Sequence, residues 1–278
     1  MKILVTGGEG QVGSALERAG REAGHDMRMM SRRALDITSV RSAGEGLSRQ
    51  RPDLVINAAA YTAVDRAEEE TEQAFSINQT GPQNLAETCQ KMGLPLIHIS
   101  TDFVFDGLKD GPYLETDPCA PLGVYGQSKW LGEQAVTRTL DRHLILRTAW
   151  VFGGATSFVE TMRRLAGTRQ DISVVDDQKG GPTPAAAIAD CLLVMAEKAL
   201  AAGFSDWGIY HFCGTPPVSW YEFAGYILKD RAGVTVHPIP TRDYPTPAKR
   251  PANSVLACGR IADVFGIQQP DWRDYLAD

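Results

Sequence analysis

Several scarcities narrow the class of this 278-residue chain before any motif is read. Cysteine is sparse, and Cys89, Cys119, Cys191, Cys213 and Cys258 are scattered, odd in number and without a CxxC pair. That pattern excludes a disulfide framework and predicts free thiols in a reducing compartment. Of the five histidines, His143, His211 and His237 lack ligand-like spacing, so no metal site is expected. His98 lies inside an apolar run and reads as a core histidine with a hydrogen-bond partner. Lys and Arg number 28 against 34 Asp and Glu, a net charge of −6. A surface built for nucleic-acid phosphates needs the opposite balance, so no nucleic acid is expected as a partner. Long hydrophobic runs are missing too. The densest, Cys191–Ala196, is far too short to span a bilayer, so no membrane is expected. The opening Met-Lys-Ile-Leu-Val-Thr-Gly reads as a strand and not as a secretion signal, which predicts a cytoplasmic protein. No linker, low-complexity segment or internal repeat is visible.

What is present is the composition of a globular protein, 43% hydrophobic and 22% charged. Apolar runs at Lys2–Thr6, Met27–Met30, Asp53–Asn57, Leu96–Ser100 and His143–Arg147 read as strands. Between them, Gln11–Ala23, Val40–Arg49 and Tyr125–Leu140 read as helices. A longer helical region from Val64 to Met92 is expected to break near Gly81-Pro82. This alternation implies βαβ units and a parallel sheet. After about Trp150 the rhythm is interrupted by Gly153-Gly154, by Gly180-Gly181-Pro182-Thr183-Pro184 and by the prolines from Pro238 to Pro251, while Gly208–Cys213 reads as a strand returning to the sheet. The glycine-proline turn at 180–184 shapes either a ligand lobe or simply the chain.

Gly7, Gly10 and Gly13 form a GxxGxxG pattern between the first strand and the first helix. Glycine allows a tight turn and close backbone approach to a pyrophosphate, and the helix N-terminus offers free N–H groups to it. The expected fold is therefore α/β: a Rossmann-type doubly wound parallel sheet with a smaller interleaved C-terminal substrate lobe. Residues 1–150 form the dinucleotide-binding domain, with a returning segment near 185–213, and residues 151–184 and 214–278 form the lobe. Ser31-Arg32-Arg33 follows the second strand where an acidic residue would take the ribose of NAD. Guanidinium groups suit a 2′-phosphate, so NADPH is expected, with NADH possible; a solvated basic loop is the plainer reading. Asp36 is a further candidate at the adenine end.

Tyr125-Gly126-Gln127-Ser128-Lys129 places a phenol and an ammonium one helical turn apart. The lysine is expected to lower the tyrosine pKa and tune it as a proton donor or acceptor. Ser100-Thr101-Asp102 ends a sheet strand, where open α/β sheets bind ligands, and a hydroxyl there can hold a substrate oxygen.

These motifs carry a specific resemblance. The chain resembles the extended short-chain dehydrogenase/reductase superfamily and, within it, the dTDP-4-dehydrorhamnose reductase family over essentially its whole length. The matching segments are Gly7–Gly13, Asn57–Asp65, Ser100–Gly107, Tyr125–Lys129, Arg147–Phe152, Asp177–Thr183 and Tyr244–Pro251. The resemblance implies NAD(P)H-dependent reduction of the C4 keto group of a dTDP-linked 6-deoxysugar. It places Gly10, Gln11 and Val12 along the pyrophosphate and Asp36 with Ile37 at the adenine. Ala58, Ala59, Ala60, Tyr61, Thr62 and Ser100 would lie along the cofactor. Thr101 would hold the reacting oxygen and Tyr125 would donate the proton. Lys129 would hold the nicotinamide ribose, and Asp102 and Trp150 would contact the sugar nucleotide. After Thr183 the chain runs Pro-Ala-Ala-Ala, with no carboxylate until Asp190. A metal bridge between subunits is therefore not expected, and the chain should be a monomer or weak homodimer. Two other readings share this fold. A sugar-nucleotide epimerase would return its cofactor unchanged, and a regulatory subunit resembling that of methionine adenosyltransferase would bind without turnover. Dehydration is disfavoured because Thr101 is followed by Asp102-Phe103 and not by an Asp-Glu pair. Glu68-Glu69-Glu70 with Glu72 reads as a solvated helix face, and Trp220 with Tyr221 as either lobe lining or core.

Overall fold

A computed structural model describes residues 1–276. The first half alternates as expected: β1 (Lys2–Thr6), α1 (Gln11–Glu22), β2 (Asp26–Met30), α2 (Val40–Gln50) and β3 (Leu54–Asn57). Three helices follow, α3 (Val64–Ala67), α4 (Thr71–Phe75) and α5 (Gly81–Met92), and then β4 (Leu96–Thr101), α6 (Val124–Thr139) and β5 (His143–Thr148). The expected break at Gly81-Pro82 is not there. The chain leaves the helix at Glu68–Glu70 instead and runs on through Pro82, preceded by a π-helical turn at Ser76–Thr80. Proline lacks an N–H and crowds the carbonyl four residues back, and the wider turn absorbs both defects.

The lobe elements are β6 (Val151–Phe152), α7 (Phe158–Ala166), β7 (Asp171–Val175), β8 (Lys179–Gly180) and β9 (Thr183–Pro184). Helix α8 (Ala185–Leu200) and β10 (Gly208–His211) come next, followed by β11 (Val218–Ser219), α9 (Trp220–Ile227), β12 (Thr235–Ile239) and α10 (Gly259–Phe265). The returning strand is thus shorter than Gly208–Cys213, ending at His211. It joins β5 in a six-stranded, all-parallel sheet of order β10-β5-β4-β3-β1-β2. Three two-stranded sheets, β11-β8, β12-β7 and β6-β9, belong to the segments around it.

Side chains of a strand alternate between faces, so a sheet covered on both sides needs apolar residues in unbroken runs. Ile3 and Val5 enter one core cluster with Leu16, Leu192 and Met195 from α1 and α8. Leu4 enters the other, with Leu47, Leu85 and Val136 from α2, α5 and α6. The chain moves outward from β1 to β2 and then restarts on the other side of β1 at β3. That reversal opens a crevice at the carboxyl ends of β1 and β3.

One buried ion pair fixes the helix that matters most. Arg147 of β5 and Glu133 of α6, with 2% and 0% of their side chains exposed, are joined by a fork with contacts of 2.9 Å and 2.7 Å. Cys119 Sγ, the Phe105 ring and His211 Nε2, 3.4 Å from Nη1, also face the guanidinium. Breaking such a pair from one side strands a buried charge and costs about 3–5 kcal/mol, whereas replacing both members is far milder. Glu133→Leu alone should therefore destabilise more in urea unfolding than Glu133→Leu combined with Arg147→Met. A double variant at least as unstable as the single one would show that the pair contributes through packing alone.

Candidate active site

The crevice opens into a cavity of about 840 Å³ whose lining runs from Ser31 and Arg32 past the glycine turn to Tyr125, Lys129 and Trp150. At its floor Gly7 has φ +70°, and a Cβ there would sit 2.6 Å from the Ala58 carbonyl carbon and the Ala59 nitrogen. A side chain at Gly13 would run into the Gly7 carbonyl oxygen, so α1 starts directly against the turn. Gly10, Gln11 and Val12 line the cavity, as do Ala58, Ala59, Ala60 and Thr62. The Gln11 amide oxygen also accepts the Gly154 N–H at 3.1 Å, tying the first turn of α1 to the loop after β6.

At the far end Ser31 and Arg32 line the cavity, while Arg33 is exposed and does not. Asp36 and Ile37 are there too. The Asp36 carboxylate accepts the Thr38 hydroxyl at 2.7 Å and the Thr38 N–H at 3.0 Å, which hold it below the usual carboxylate range. Tyr61 departs from its expected place. It is buried, its hydroxyl donates to Glu70 at 2.7 Å, and it does not line the cavity. Its backbone is held by Asn78, which accepts its N–H and donates to its carbonyl from the π turn. Asn78 also donates to Ser128 on α6.

The glutamate run is more than a solvated face. Gly123, at the N-cap of α6, has no side chain to satisfy the first N–H groups, and Glu68 Oε1 accepts the Val124 N–H at 2.9 Å instead. The acidic segment therefore caps the helix that carries Tyr125 and Lys129.

Ser100, Thr101 and Asp102, from the end of β4 and just beyond it, meet Tyr125, Lys129, Thr148 and Trp150 around one part of the cavity. Thr101 Oγ1 donates to Asp102 Oδ1 at 3.0 Å and accepts the Phe103 N–H at 3.2 Å. Among the described residues, Ser100 Oγ and Thr148 Oγ1 are buried without a partner, and the Ser254 hydroxyl lies beside the Asp102 carboxylate. Orphaned polar atoms on a cavity wall are what a polar ligand would satisfy. Thr148 was not singled out from the sequence; its position at the end of β5, opposite Thr101 in the register, was the available signal.

The electrostatics correct one expectation. Tyr125 is half-buried against the cavity, and loss of water pushes its phenol up to about 12, with the Asp102 charge adding to the rise and the Thr101 hydroxyl opposing it. It is not lowered. Lys129 is itself 1% exposed, and burial pushes it down to about 8. Its ammonium donates to the Ile99 carbonyl at 2.6 Å. The lysine charge is thus engaged by the backbone and weakened by burial, and desolvation of the phenol dominates. Burial also pushes Asp102 up to about 6.

Trp150 lies on the cavity wall with φ +46°, a left-handed conformation that a bulky residue adopts only when its surroundings force it. Its ring stacks on Trp220 with centroids 3.5 Å apart and planes 5° apart. Trp220 lines the same cavity. A Cβ at Gly180 would sit 2.5 Å from Trp150 Cε2, so the glycine of the 180–184 turn makes room for the indole.

A family model described as RmlD substrate binding domain matches residues 1–278. The dTDP-4-dehydrorhamnose reductase of Aggregatibacter actinomycetemcomitans is 43% identical over 284 residues, covering 99% of this chain and 97% of its own. That of Escherichia coli K12 is 39% identical, covering 98% and 95%. The chain belongs to the dTDP-4-dehydrorhamnose reductase family. A crystal structure of the Clostridium acetobutylicum reductase matches with a TM-score of 0.94 at 35% identity, covering 99% of this chain and 97% of that one. The Bacillus anthracis reductase, solved in complex with NADP, matches with a TM-score of 0.91 at 36% identity, covering 99% and 98%.

Among the described residues of this reductase-family chain, no group of three or more His, Cys, Asp or Glu could hold a metal ion, and no helix is long and apolar enough to cross a membrane. Trp150 and Trp220 cover each other's ring faces on the cavity wall. Removing one ring loses about 1 kcal/mol of stacking beyond its buried area. Trp150→Ala should raise KM for the sugar nucleotide by roughly five- to tenfold, with NADPH affinity nearly unchanged in a fluorescence titration. A variant that loses the cofactor instead would make Trp150 a structural support of the cofactor half.

Proposed function

We propose that this chain reduces the C4 keto group of dTDP-4-dehydro-L-rhamnose to give dTDP-L-rhamnose, with NADPH as preferred reductant and NADH as a poorer one. The supporting observation is the meeting of Thr101, Tyr125 and Lys129 on one cavity in a chain that matches the family end to end. The residues fit a dinucleotide: a glycine turn closed against β3, the N-terminus of α1, and unpartnered hydroxyls at Ser100 and Thr148. Gly7 to Gly13, Ser31, Arg32 and Asp36 would hold its pyrophosphate and adenosine part. Residues 1–150 with 185–213 would form the cofactor half, and 151–184 with 214–278 the sugar half, of which 277–278 lie outside the described residues.

When bound, the reduced nicotinamide supplies a hydride to the carbonyl carbon. Tyr125 donates its phenolic proton to the oxygen that becomes the alcohol. Its raised pKa keeps that proton in place at neutral pH, so the phenol is present in its acid form. The Lys129 ammonium stabilises the phenolate left behind. Asp102, on the cavity wall with one oxygen on Thr101, accepts a sugar hydroxyl. Trp150 and Trp220 offer an apolar wall to the sugar nucleotide.

Tyr125→Phe keeps the ring and its edge contact with Phe103, so folding and NADPH binding should survive. Single-turnover hydride transfer should slow by ~10²–10⁴-fold. A Tyr125→Phe protein reducing keto-sugar at the wild-type rate would remove the tyrosine from the mechanism. Tyr125 stays protonated to about 12, so the alkaline decline belongs to Lys129. Its charged form is lost as pH rises through about 8, and the reductive rate should fall there. A flat profile from neutrality to beyond that point would contradict the assignment.

Arg32 is the guanidinium on the cavity at the adenosine end. Hydrogen bonds to a charged group contribute about 1.5–3 kcal/mol, so Arg32→Ala should weaken NADPH by roughly 10- to 100-fold and NADH little. Equal losses for the two cofactors would exclude a 2′-phosphate role.

A further inference from the structure

A buried polar chain lies behind the tyrosine and lysine, and the reaction as described leaves it unused. Thr6 Oγ1 donates to Asn57 Oδ1 at 2.7 Å, and the Ala59 backbone N–H donates to the same oxygen at 3.2 Å. A backbone N–H can only donate, so that atom is the amide oxygen and the Asn57 NH2 group faces His98 Nδ1, 3.0 Å away. An amide NH2 also only donates. His98 Nδ1 is therefore an acceptor, and the imidazole is neutral with its proton on Nε2. Nε2 faces Lys129 Nζ at 3.5 Å. Thr6, Asn57, His98 and Lys129 are all at most 1% exposed, so water does not compete for these contacts.

We infer that His98 is a positioning residue for Lys129: held by Asn57 as the Nε2–H tautomer, it turns a donor toward the lysine nitrogen and favours the neutral amine over the ammonium. An ammonium has only donors, so an N–H aimed at it is unfavourable; a neutral amine has a lone pair that can accept it. The separation of 3.5 Å is long for a hydrogen bond, which fits an N–H held beside an ammonium already donating to Ile99. The other charged or titratable groups around Lys129 act differently. Glu133, one turn further along α6, favours the ammonium, but its carboxylate is shared with Arg147 of β5. Tyr125, one turn back, is a neutral phenol, and Asp102 beyond β4 acts on Tyr125. Burial and the neighbouring Lys129 hold His98 well below its usual range, in keeping with an imidazole that stays neutral.

The consequence for catalysis rests on the reductase reading: His98 adds to burial in lowering the pH at which Lys129 ceases to support the phenolate. The structural part can be tested without turnover. In ¹⁵N spectra of the wild-type protein without cofactor, His98 should carry its proton on Nε2 and none on Nδ1 from about pH 6 to 9. The Lys129 ¹³Cε signal is then titrated in wild type, His98→Leu and His98→Gln. Removing a single opposing N–H should raise the Lys129 midpoint by roughly half a unit to one unit in His98→Leu. His98→Gln should raise it at least as far, because its amide oxygen can turn toward the ammonium. The alkaline limb of turnover should move with the midpoint. A proton on Nδ1 in the wild type, or an unmoved Lys129 midpoint in folded His98→Leu, would overturn the inference. The wild-type spectrum decides the tautomer even if both variants fail to fold. A protein that reduces no keto-sugar would sink the reductase reading and leave the tautomer result standing.

Discussion

Helix α6 carries both Tyr125 and Lys129, and the site depends on that helix being unable to shift against the sheet. The restraint is largely polar. Lys129 reaches through to the Ile99 carbonyl of β4, and Glu133, one turn later, is forked by Arg147 of β5. Both are buried charges, and each would be strongly destabilising without its partner. Close packing does the rest. A Cβ at Gly126 or Gly132 would collide with the Phe103 or Asn78 carbonyl oxygen, so the helix lies almost directly on those backbones. Glu68 caps its start and Asn78 holds Ser128 in its second turn. An apolar helix face alone would tolerate small slides; this set of directional contacts does not.

The same contacts explain why Tyr125, Lys129 and Asp102 titrate unlike exposed groups. Desolvation disfavours whichever form is charged, so it moves a phenol up and an ammonium down together. Tyr125 is kept as an acid and Lys129 is brought close to neutrality, with no strong pairing between them. Asp102, rising to about 6, follows the same rule on the other side of Thr101. Three groups of different chemistry are thus set by one physical factor, the scarcity of water at the end of β4.

The lobe contributes shape where the sheet contributes charge. Trp150 sits at the exit of β5 in a left-handed conformation, and its place is fixed by Trp220 on α9 and by the space at Gly180. These three residues are remote in sequence, and only their meeting produces the aromatic wall. Gln11 makes the complementary link from the first turn of α1, accepting the Gly154 backbone N–H.

Much of this was legible in the residues alone. The unbroken apolar strands, the glycine turn, the YxxxK pair and the hydroxyl at the end of β4 are local patterns, because period and spacing along one element are local properties. They were sufficient for a parallel α/β sheet with Thr101, Tyr125 and Lys129 at its carboxyl edge. What lay beyond them depended on distant partners. The continuity of the helix through Gly81-Pro82 follows from a π turn that no propensity marks. The inward turn of Tyr61 follows from Glu70 and Asn78. The capping role of Glu68 follows from its contact with residue 124, and the direction of the Tyr125 shift follows from burial that no i,i+4 argument contains. The sequence by itself determined which chemical groups stand on which elements. Only the tertiary structure decided their protonation and their partners, because desolvation and long-range hydrogen bonds exist only once the elements are packed.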